Sequence, residues 1–285
     1  MRRLKELAAV IAAVFLGLIL PATAQMSFEL GFGWTFVAPA FNSTYVNEFA
    51  PPLTPETYYV SSAAVQTLKL NGKASYGMSG FFNWFLNKNV GLQVLADYHR
   101  PRFSGDNSPY EVTLNYQIFD PETYHNIDNE WPDTSGDFKA TTFSLNVIAR
   151  FRVAPNLSLS FSAGPSLFHI QGKAAPIGFT SFRVDFDGEI YTLTGKTYKM
   201  VYEFGPDSRY GFNAGTEAAV TVFRNVILAV DIRWFQSSKS TCDLKIVPSD
   251  VITEPIEEIE ETINLGSMKV DPSYFRAGLV IRFLF

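Results

Sequence analysis

The sequence predicts an all-β protein whose strands form an eight-stranded antiparallel up-and-down barrel. Three observations lead to this fold class. Eight segments alternate large apolar residues with small or polar ones, the connectors between them are alternately short and long, and the last segment runs to Phe285. A period of two places successive side chains on opposite faces of a strand. An even number of strands suits a closed meander.

Each predicted strand has one apolar face and one face of small or polar residues. In the first strand Phe32 and Trp34 lie on the apolar face, and Gly31 and Gly33 lie opposite, where we expect them to leave room for bulky neighbours. The eight apolar faces run from Phe28 to Phe36, Leu68 to Phe82, Val90 to Tyr98, Phe143 to Phe151, Leu157 to Ala163, Tyr210 to Val222, Val226 to Trp234 and Phe275 to Phe285.

The connectors give a second, independent signal. Tight turns are predicted around Asn87-Lys88-Asn89, Pro155-Asn156 and Arg224-Asn225. The long connectors cover residues 39–65, 101–137, 170–208 and 237–272. Short turns at one end and long loops at the other are typical of transmembrane barrels, with the turns in the periplasm and the loops outside the cell.

Volume decides which face of the strands points outward. The interior of an eight-stranded barrel is just wide enough for side chains to fill, and the apolar faces together carry about forty large residues, which is too many for that space. The opposite faces are rich in Gly, Ser, Thr, Ala and Asn, which fit inside. The sequence therefore predicts a transmembrane barrel with its aromatic face toward lipid.

The polar faces also carry charges of both signs. A charge facing the middle of the bilayer costs about 2–4 kcal/mol, so we expect these side chains in the lumen. We predict an interior network of ion pairs, with a charged pore lining as the alternative. The predicted inward set is Glu29, Asp97, Glu217, Asp231, Lys69, Lys73, Arg150, Arg233, Arg276 and Arg282.

Aromatic residues near both ends of the strands predict two belts at the membrane interfaces, where amphipathic rings are favoured. The belt on the turn side is predicted to contain Phe81, Trp84, Phe85, Phe151, Phe223 and Phe285. The belt on the loop side is predicted to contain Tyr98, Phe103, Tyr210, Trp234, Phe235 and Tyr274.

The amino-terminal segment has the pattern of a cleavable export signal. Basic residues precede an apolar run from Leu7 to Leu20, and Ala22-Thr23-Ala24 supplies small residues for cleavage before Gln25. The run is shorter than the roughly 20 residues that a spanning helix needs. We therefore predict a signal peptide over residues 1–24 and a barrel domain over residues 25–285.

With its signal segment, eight alternating strands, asymmetric connectors and terminal Phe285, the chain resembles the small outer-membrane β-barrel proteins of Gram-negative-type bacteria, a family that includes the OmpA transmembrane domain and OmpX. The resemblance implies a bacterial outer-membrane location. The partners it implies are the lipid bilayer with its lipopolysaccharide, and the barrel assembly machinery, which reads a final strand ending in Phe.

Composition and motifs argue against several classes of function. The net charge of −5 disfavours nucleic acid as a partner. Cys242 is the only cysteine, and the spacing of His99, His125 and His169 does not suggest a metal site. Ser166 and His169 fall on opposite faces of a strand, so they are not expected to form a nucleophile and base pair.

His99 shares a face with Asp97, but no nucleophile is evident near this pair. We therefore predict no enzyme activity and assign no catalytic, cofactor-binding or metal residues.

The long connectors remain as the place for function. Asp187-Gly188 predicts a hairpin that extends two strands beyond the membrane over residues 182–202. Ile256, Ile259 and Ile263 among glutamates predict a short amphipathic helix, whose acidic face is either simply solvated or binds cations that bridge lipopolysaccharide. The first hypothesis is a structural or surface-interaction protein with a filled lumen. The alternatives are a channel for small solutes or apolar ligands and, less favoured, a lipid-A-modifying enzyme.

Overall fold

The computed structural model describes residues 27–49, 60–107, 111–116, 122–125, 134–186, 191–247 and 267–285. The predicted signal segment, the Asp187-Gly188 turn and the helix around Ile259 lie outside these residues. Among the described residues we find no helix with the length and apolarity to cross a bilayer. The strands are β1 (Ser27–Pro39), β2 (Asn42–Phe49), β3 (Val60–Gly72), β4 (Ser75–Phe85), β5 (Val90–His99), β6 (Arg102–Asn107), β7 (Glu111–Tyr116), β8 (Glu122–His125), β9 (Thr134–Ala154), β10 (Leu157–Phe186), β11 (Tyr191–Phe223), β12 (Val226–Ser237), β13 (Ser240–Ile246), β14 (Ser267–Val270) and β15 (Tyr274–Leu284).

Eight of these strands close into a ring of antiparallel pairs. Their order around the ring is β1, β4, β5, β9, β10, β11, β12 and β15, and β15 pairs with β1 to complete it. At the closing seam Phe32 lies opposite Ile281. A closed ring leaves no unpaired strand edge within the membrane. The prediction of an eight-stranded up-and-down barrel is confirmed.

Tight turns join the strands at one end of the ring. Residues 86–89, 155–156 and 224–225 form these turns, as predicted. In the first turn the Asn87 side-chain oxygen accepts hydrogen bonds from the main-chain N–H groups of Asn89 and Val90, each at 2.8 Å. The Asn87 side chain thus supplies an acceptor for main-chain N–H groups that would have no main-chain partner in a tight turn.

The opposite end of the ring continues as a second tier of strands. Short breaks at residues 40–41, 73–74, 100–101, 238–239 and 271–273 interrupt five strands, which then resume as β2, β3, β6, β13 and β14. Three strands, β9, β10 and β11, run through without a break. We call each strand with its continuation a stave, the part on the turn side of the breaks the lower tier, and the part beyond them the upper tier.

The upper tier repeats the ring order of the lower tier. Its ladders join β2 to β3, β3 to β6, β6 to β9, β9 to β10, β10 to β11, β11 to β13 and β13 to β14. β14 then lies against β2, where the Ser43 hydroxyl donates to the Lys269 carbonyl. The described parts of the long connectors are therefore largely β-structure, and β7 and β8 add a further hairpin beside β3.

The extended hairpin predicted over residues 182–202 is present as a ribbon of β10 and β11. Its ladder continues to the pair Phe186 and Tyr191.

The prediction that Lys69 and Lys73 face the lumen is wrong. Leu70, predicted to face outward, is fully buried, and both lysines are exposed. The predicted second strand is two strands, β3 and β4, separated by the break at residues 73–74. Leu70 faces inward in β3 and odd-numbered residues do so in β4, because the break shifts the alternation by one residue.

The aromatic belts are confirmed in part. Phe151, Phe223 and Phe285 are exposed at the turn end, and Tyr98, Tyr210 and Trp234 are exposed at the level of the breaks. Trp84 is half-buried and stacks on the outward Phe28 ring, so its predicted outward face is right. The remaining predicted members are wrong, because their position along the chain puts them on the inward face. The buried ones are Phe81, Phe85, Phe103, Phe235 and Tyr274.

Gly31 shows why an inward aromatic fits in so narrow a barrel. A Cβ atom on Gly31 would lie 2.3 Å from the Phe81 ring, so the glycine provides the space that the ring fills. For Gly31, this confirms the expectation that the first-strand glycines make room for bulky neighbours.

Candidate functional site

The candidate site is the lumen of the lower tier, where charged side chains from distant parts of the chain meet. At the turn end, both guanidinium nitrogens of Arg150 donate to the Glu29 carboxylate, at 2.6 and 2.7 Å. Arg282 donates to the same carboxylate at 2.8 Å and lies 3.0 Å from Glu217. The Asn83 amide also donates to Glu29, at 3.1 Å.

A chain of side-chain amides crosses the lumen above this cluster. Gln93 donates to Asn83 at 3.0 Å, and Asn146 donates to Gln93 at 3.0 Å. Asn213 donates to Asn146 at 2.7 Å and accepts from Arg233 at 2.5 Å. Each of these residues comes from a different strand, so the chain of hydrogen bonds ties five strands together across the interior.

A second ion cluster lies above the amides. Arg276 donates to Asp97 at 2.8 Å and to Asp231 at 2.6 Å. Arg233 lies 3.3 Å from Asp231, and the Tyr274 hydroxyl donates to Asp97 at 2.8 Å. All five side chains are almost completely buried. The predicted ion-pair network is confirmed, with eight of the ten predicted inward charges in it.

The two clusters balance in charge. Four carboxylates and four guanidinium groups face each other in the described lumen, so the buried charges cancel. Buried charges are tolerated when each is paired and hydrogen-bonded. The positive and negative charges of the two clusters therefore compensate each other within the described lumen.

Aromatic rings fill the lumen at the level of the strand breaks. Tyr274 stacks on Phe235 with ring centroids 4.3 Å apart and lies 6.3 Å from Phe168. Just above, Phe41 lies 5.1 Å from Phe103 and 5.2 Å from Phe138, again between centroids. We call these residues, with His99 and Phe204, the aromatic layer. All of them are buried, so the layer lies inside the barrel above the ion network.

The residues considered for catalysis are not brought together. Ser166 is buried and bonds to Ser144 at 2.8 Å, whereas His169 is on the exposed face and lies 3.0 Å from Ser208. His99 faces inward as predicted, but it contacts the Tyr274 ring. Asp97 is used by Arg276 and Tyr274 instead. Within the ranges that the structure describes, no three His, Cys, Asp or Glu side chains are placed to hold a metal ion.

The amide chain and the aromatic layer were missed in the sequence. Three of the amides carry a usable signal, because Gln93, Asn146 and Asn213 each lie on the predicted polar face of a strand, whereas Asn83 lies between Phe81 and Phe85 on its face. Phe235 also carried a signal, because it falls on the same face as Asp231 and Arg233. An aromatic residue on the polar, inward face of such a strand indicates a ring that lies in the lumen.

The outer wall of the lower tier is apolar all around. Trp34 is 72% exposed, Tyr76 83% and Tyr210 81%, and outward residues on every strand of the ring are of the same kind. Phe32, Leu145 and Phe283 all face outward. An apolar surface of this extent is stable in hydrocarbon rather than in water. The barrel therefore lies in a membrane.

The chain is similar in structure to several known proteins. No family model and no curated protein matches the sequence. Among solved structures, the chain is similar to the outer membrane protein OprG from Pseudomonas aeruginosa, with 8% identity and a TM-score of 0.47, covering 92% of this chain and 97% of that one. It is also similar to the outer membrane protease OmpT from Escherichia coli, with 9% identity, a TM-score of 0.44, and coverage of 94% and 100%.

A third similar structure is Ail, the attachment invasion locus protein of Yersinia pestis. The identity is 12%, the TM-score is 0.33, and the match covers 90% of this chain and 98% of that one.

Proposed function

We propose that this chain is a small outer-membrane β-barrel protein and that it acts as a non-conducting surface-interaction protein, which presents its upper tier and connectors outside the cell. The observation that carries the proposal is the filled lumen. Ion pairs, amides and aromatic rings occupy successive levels of the interior.

The filling argues against a role in solute passage. An eight-stranded barrel has little interior space beyond its own side chains. Opening a path would require separating buried ion pairs, and removing one partner of such a pair costs about 3–5 kcal/mol. Small solutes would also have to pass the aromatic layer, in which Phe168, Phe204 and Phe235 are fully buried.

The length of the strands supports the outward role. A membrane strand needs about 9–11 residues, whereas β10 has 30 and β11 has 33. Most of each strand therefore lies beyond the hydrocarbon. The paired strands form a stiff projecting surface because their main-chain groups are already hydrogen-bonded to each other.

Conductance of the refolded protein in a planar bilayer tests the closed lumen. We expect no steady open current, with an open porin in the same bilayer as the positive control. A stable conductance from the full chain would overturn the proposal and favour the channel alternative.

Adherence tests the outward role. Cells that display the full chain are compared with cells that display a variant in which residues 177–200 are replaced by Asn-Gly, a two-residue hairpin turn. We expect the shortened ribbon to lower adherence to cultured epithelial cells while the barrel stays folded. A second variant, in which residues 248–266 are shortened, is the matched control. It shows whether shortening a different connector has the same effect on adherence. Unchanged adherence with both variants would contradict a surface-interaction role.

We also propose that this role requires no catalysis. Ser166 and His169 diverge, and Asp97 is held by Arg276. Incubation of the refolded protein with labelled lipid A should leave the lipid mass unchanged. A product of altered mass that depends on the protein would overturn this part of the proposal.

A further inference from the structure

The outer surface carries a polar cleft where three neighbouring staves bend. The cleft lies between the breaks that join β1 to β2, β12 to β13 and β14 to β15, and has a volume of about 370 Å³. Its polar lining consists of Asn42, Ser43, Thr44, Lys239, Lys269 and Asp271.

The cleft is suited to an anion. Lys239 and Lys269 are exposed and bring two ammonium groups, while Asp271 brings one carboxylate. One oxygen of Asp271 already accepts the Ser273 N–H at 3.0 Å. The net charge of the lining is therefore positive, and the Thr44 hydroxyl adds a neutral donor. Lysines bind phosphate groups as compact point charges.

The height of the cleft matches the membrane surface. Phe275 pairs with Ala38 on one side and with Trp234 on the other, and both Phe275 and Trp234 face outward. Outward aromatic rings near the ends of membrane strands mark the level of the lipid headgroups. Asp271 is four residues beyond Phe275, about 13 Å along an extended strand. The cleft thus opens at or just above the headgroups of the outer leaflet.

An apolar groove lies directly below the cleft on the same wall. It has a volume of about 350 Å³ and follows β1 and β15. Ala277, a small outward residue between Phe275 and Leu279, forms its floor with Gly278. Its sides are formed by Trp34, Phe36, Tyr76, Val230 and Leu279.

We propose that the cleft and the groove form one binding site for a phosphate-bearing acylated lipid of the outer leaflet. The phosphate lies between Lys239 and Lys269, and an acyl chain runs down the groove over Ala277. Two features of opposite chemistry, stacked in the order of headgroup and chain, point to a lipid rather than to a free anion. The site is on the outer wall, so it does not depend on whether the lumen conducts.

The test is native mass spectrometry of the refolded barrel, released from detergent after incubation with bisphosphorylated lipid A. The variant K239Q/K269Q removes both ammonium groups. The variant K139Q/K245Q is the matched control, because it makes the same charge change at exposed lysines outside the cleft. A third variant, A277F, fills the groove without changing the charge.

We expect K239Q/K269Q to weaken retention of lipid A about 30-fold, at about 1 kcal/mol for each lysine near an anionic surface. A277F should also weaken it, and K139Q/K245Q should retain lipid like the unaltered protein. Dephosphorylated lipid A should bind weakly to all of them. A folded barrel in each variant is checked by its shifted mobility on an unheated gel.

Three results would overturn the proposal. Equal losses in K239Q/K269Q and K139Q/K245Q would mean that charge acts without a defined site. Equal retention of phosphorylated and dephosphorylated lipid A would remove the phosphate from the site. Displacement of lipid A by millimolar inorganic phosphate, with A277F unaffected, would assign the cleft to free phosphate instead of a lipid.

Discussion

The two tiers of the barrel are built from the same staves but have opposite polarity. On the stave formed by β12 and β13, Asp231 and Arg233 face inward in the lower tier while Ile232 faces outward. In the upper tier Leu244 is buried and Lys245 is exposed. One chain thus changes from polar inside to apolar inside across the break at residues 238–239.

The surrounding medium explains the inversion. In hydrocarbon, apolar side chains lose nothing by facing outward, whereas charges must be paired inside. In water, apolar side chains are stabilised by burial, at about 25 cal/mol per Å² of apolar surface. The aromatic layer lies where the two regimes meet, and its rings belong to the apolar interior of the upper tier and cover the ions of the lower tier.

The largest expected effect is the loss of a buried charge from the lower tier. Arg276→Ala leaves Asp97 and Asp231 without their shared partner, so we expect the free energy of unfolding to fall by about 3–5 kcal/mol. Urea unfolding in lipid vesicles, followed by tryptophan fluorescence, measures the change. A loss below about 1 kcal/mol, the usual scale of an exposed ion pair, would mean that water reaches this cluster.

A charge placed on the outward face should lower stability much more in the lower tier than in the upper tier. Val230→Arg, on the lipid-facing side of β12, should cost about 2–4 kcal/mol. Thr241→Arg, outward on β13 of the same stave, should change stability by no more than about 0.5 kcal/mol, as for an ordinary water-exposed position. The same unfolding assay compares them, and equal costs would contradict the placement of the membrane surface between them.

The smallest expected effect concerns pH and the upper tier. Burial acts to raise the pKa of Asp207, but hydrogen bonds from the Ser240 hydroxyl, the Ser208 N–H and Arg209 outweigh it, so the pKa of this carboxyl lies below its usual value. A lowered pKa stabilises the fold above the unfolded-state pKa, and this stabilisation is lost as pH falls through the folded-state value. It should therefore disappear below about pH 4.

Ser240→Ala should raise the pKa of Asp207, because it removes one of those hydrogen bonds. Carbon-detected NMR titration of the Asp207 carboxyl measures the shift, with Thr241→Ala as the neighbouring control. An unchanged pKa in Ser240→Ala would show that the β11 and β13 contact does not hold this carboxylate.

Much of the lower tier is predictable because lipid imposes a simple rule on each strand. Phe143, Leu145 and Val147 must all face outward. The sequence of one strand is therefore enough to show which of its residues face lipid, without knowledge of the neighbouring strands. The inward charges follow from the same rule. Their pairing does not, because partners such as Arg282 and Glu29 are 253 residues apart and meet only after the ring closes.

The cleft shows the limit of such reading more sharply. Asn42 comes from one long connector and Lys239 and Lys269 come from the two ends of another, and none of them has a neighbour in the chain that indicates a site. The inward Leu70 was assigned to the wrong face because one break shifts the alternation. The position of a break depends on how adjacent staves bend together. The sequence of one strand does not contain this information.

The sequence by itself determined the class of the protein, the number of barrel strands, the turn end and the lipid-facing side of most of them, because contact with hydrocarbon acts on each strand separately. Only the tertiary structure decided the upper tier, the aromatic layer, the ion partners and the cleft. These features depend on which strands become neighbours in the closed ring and on where the staves bend, and both arise from packing between segments that are far apart in the chain.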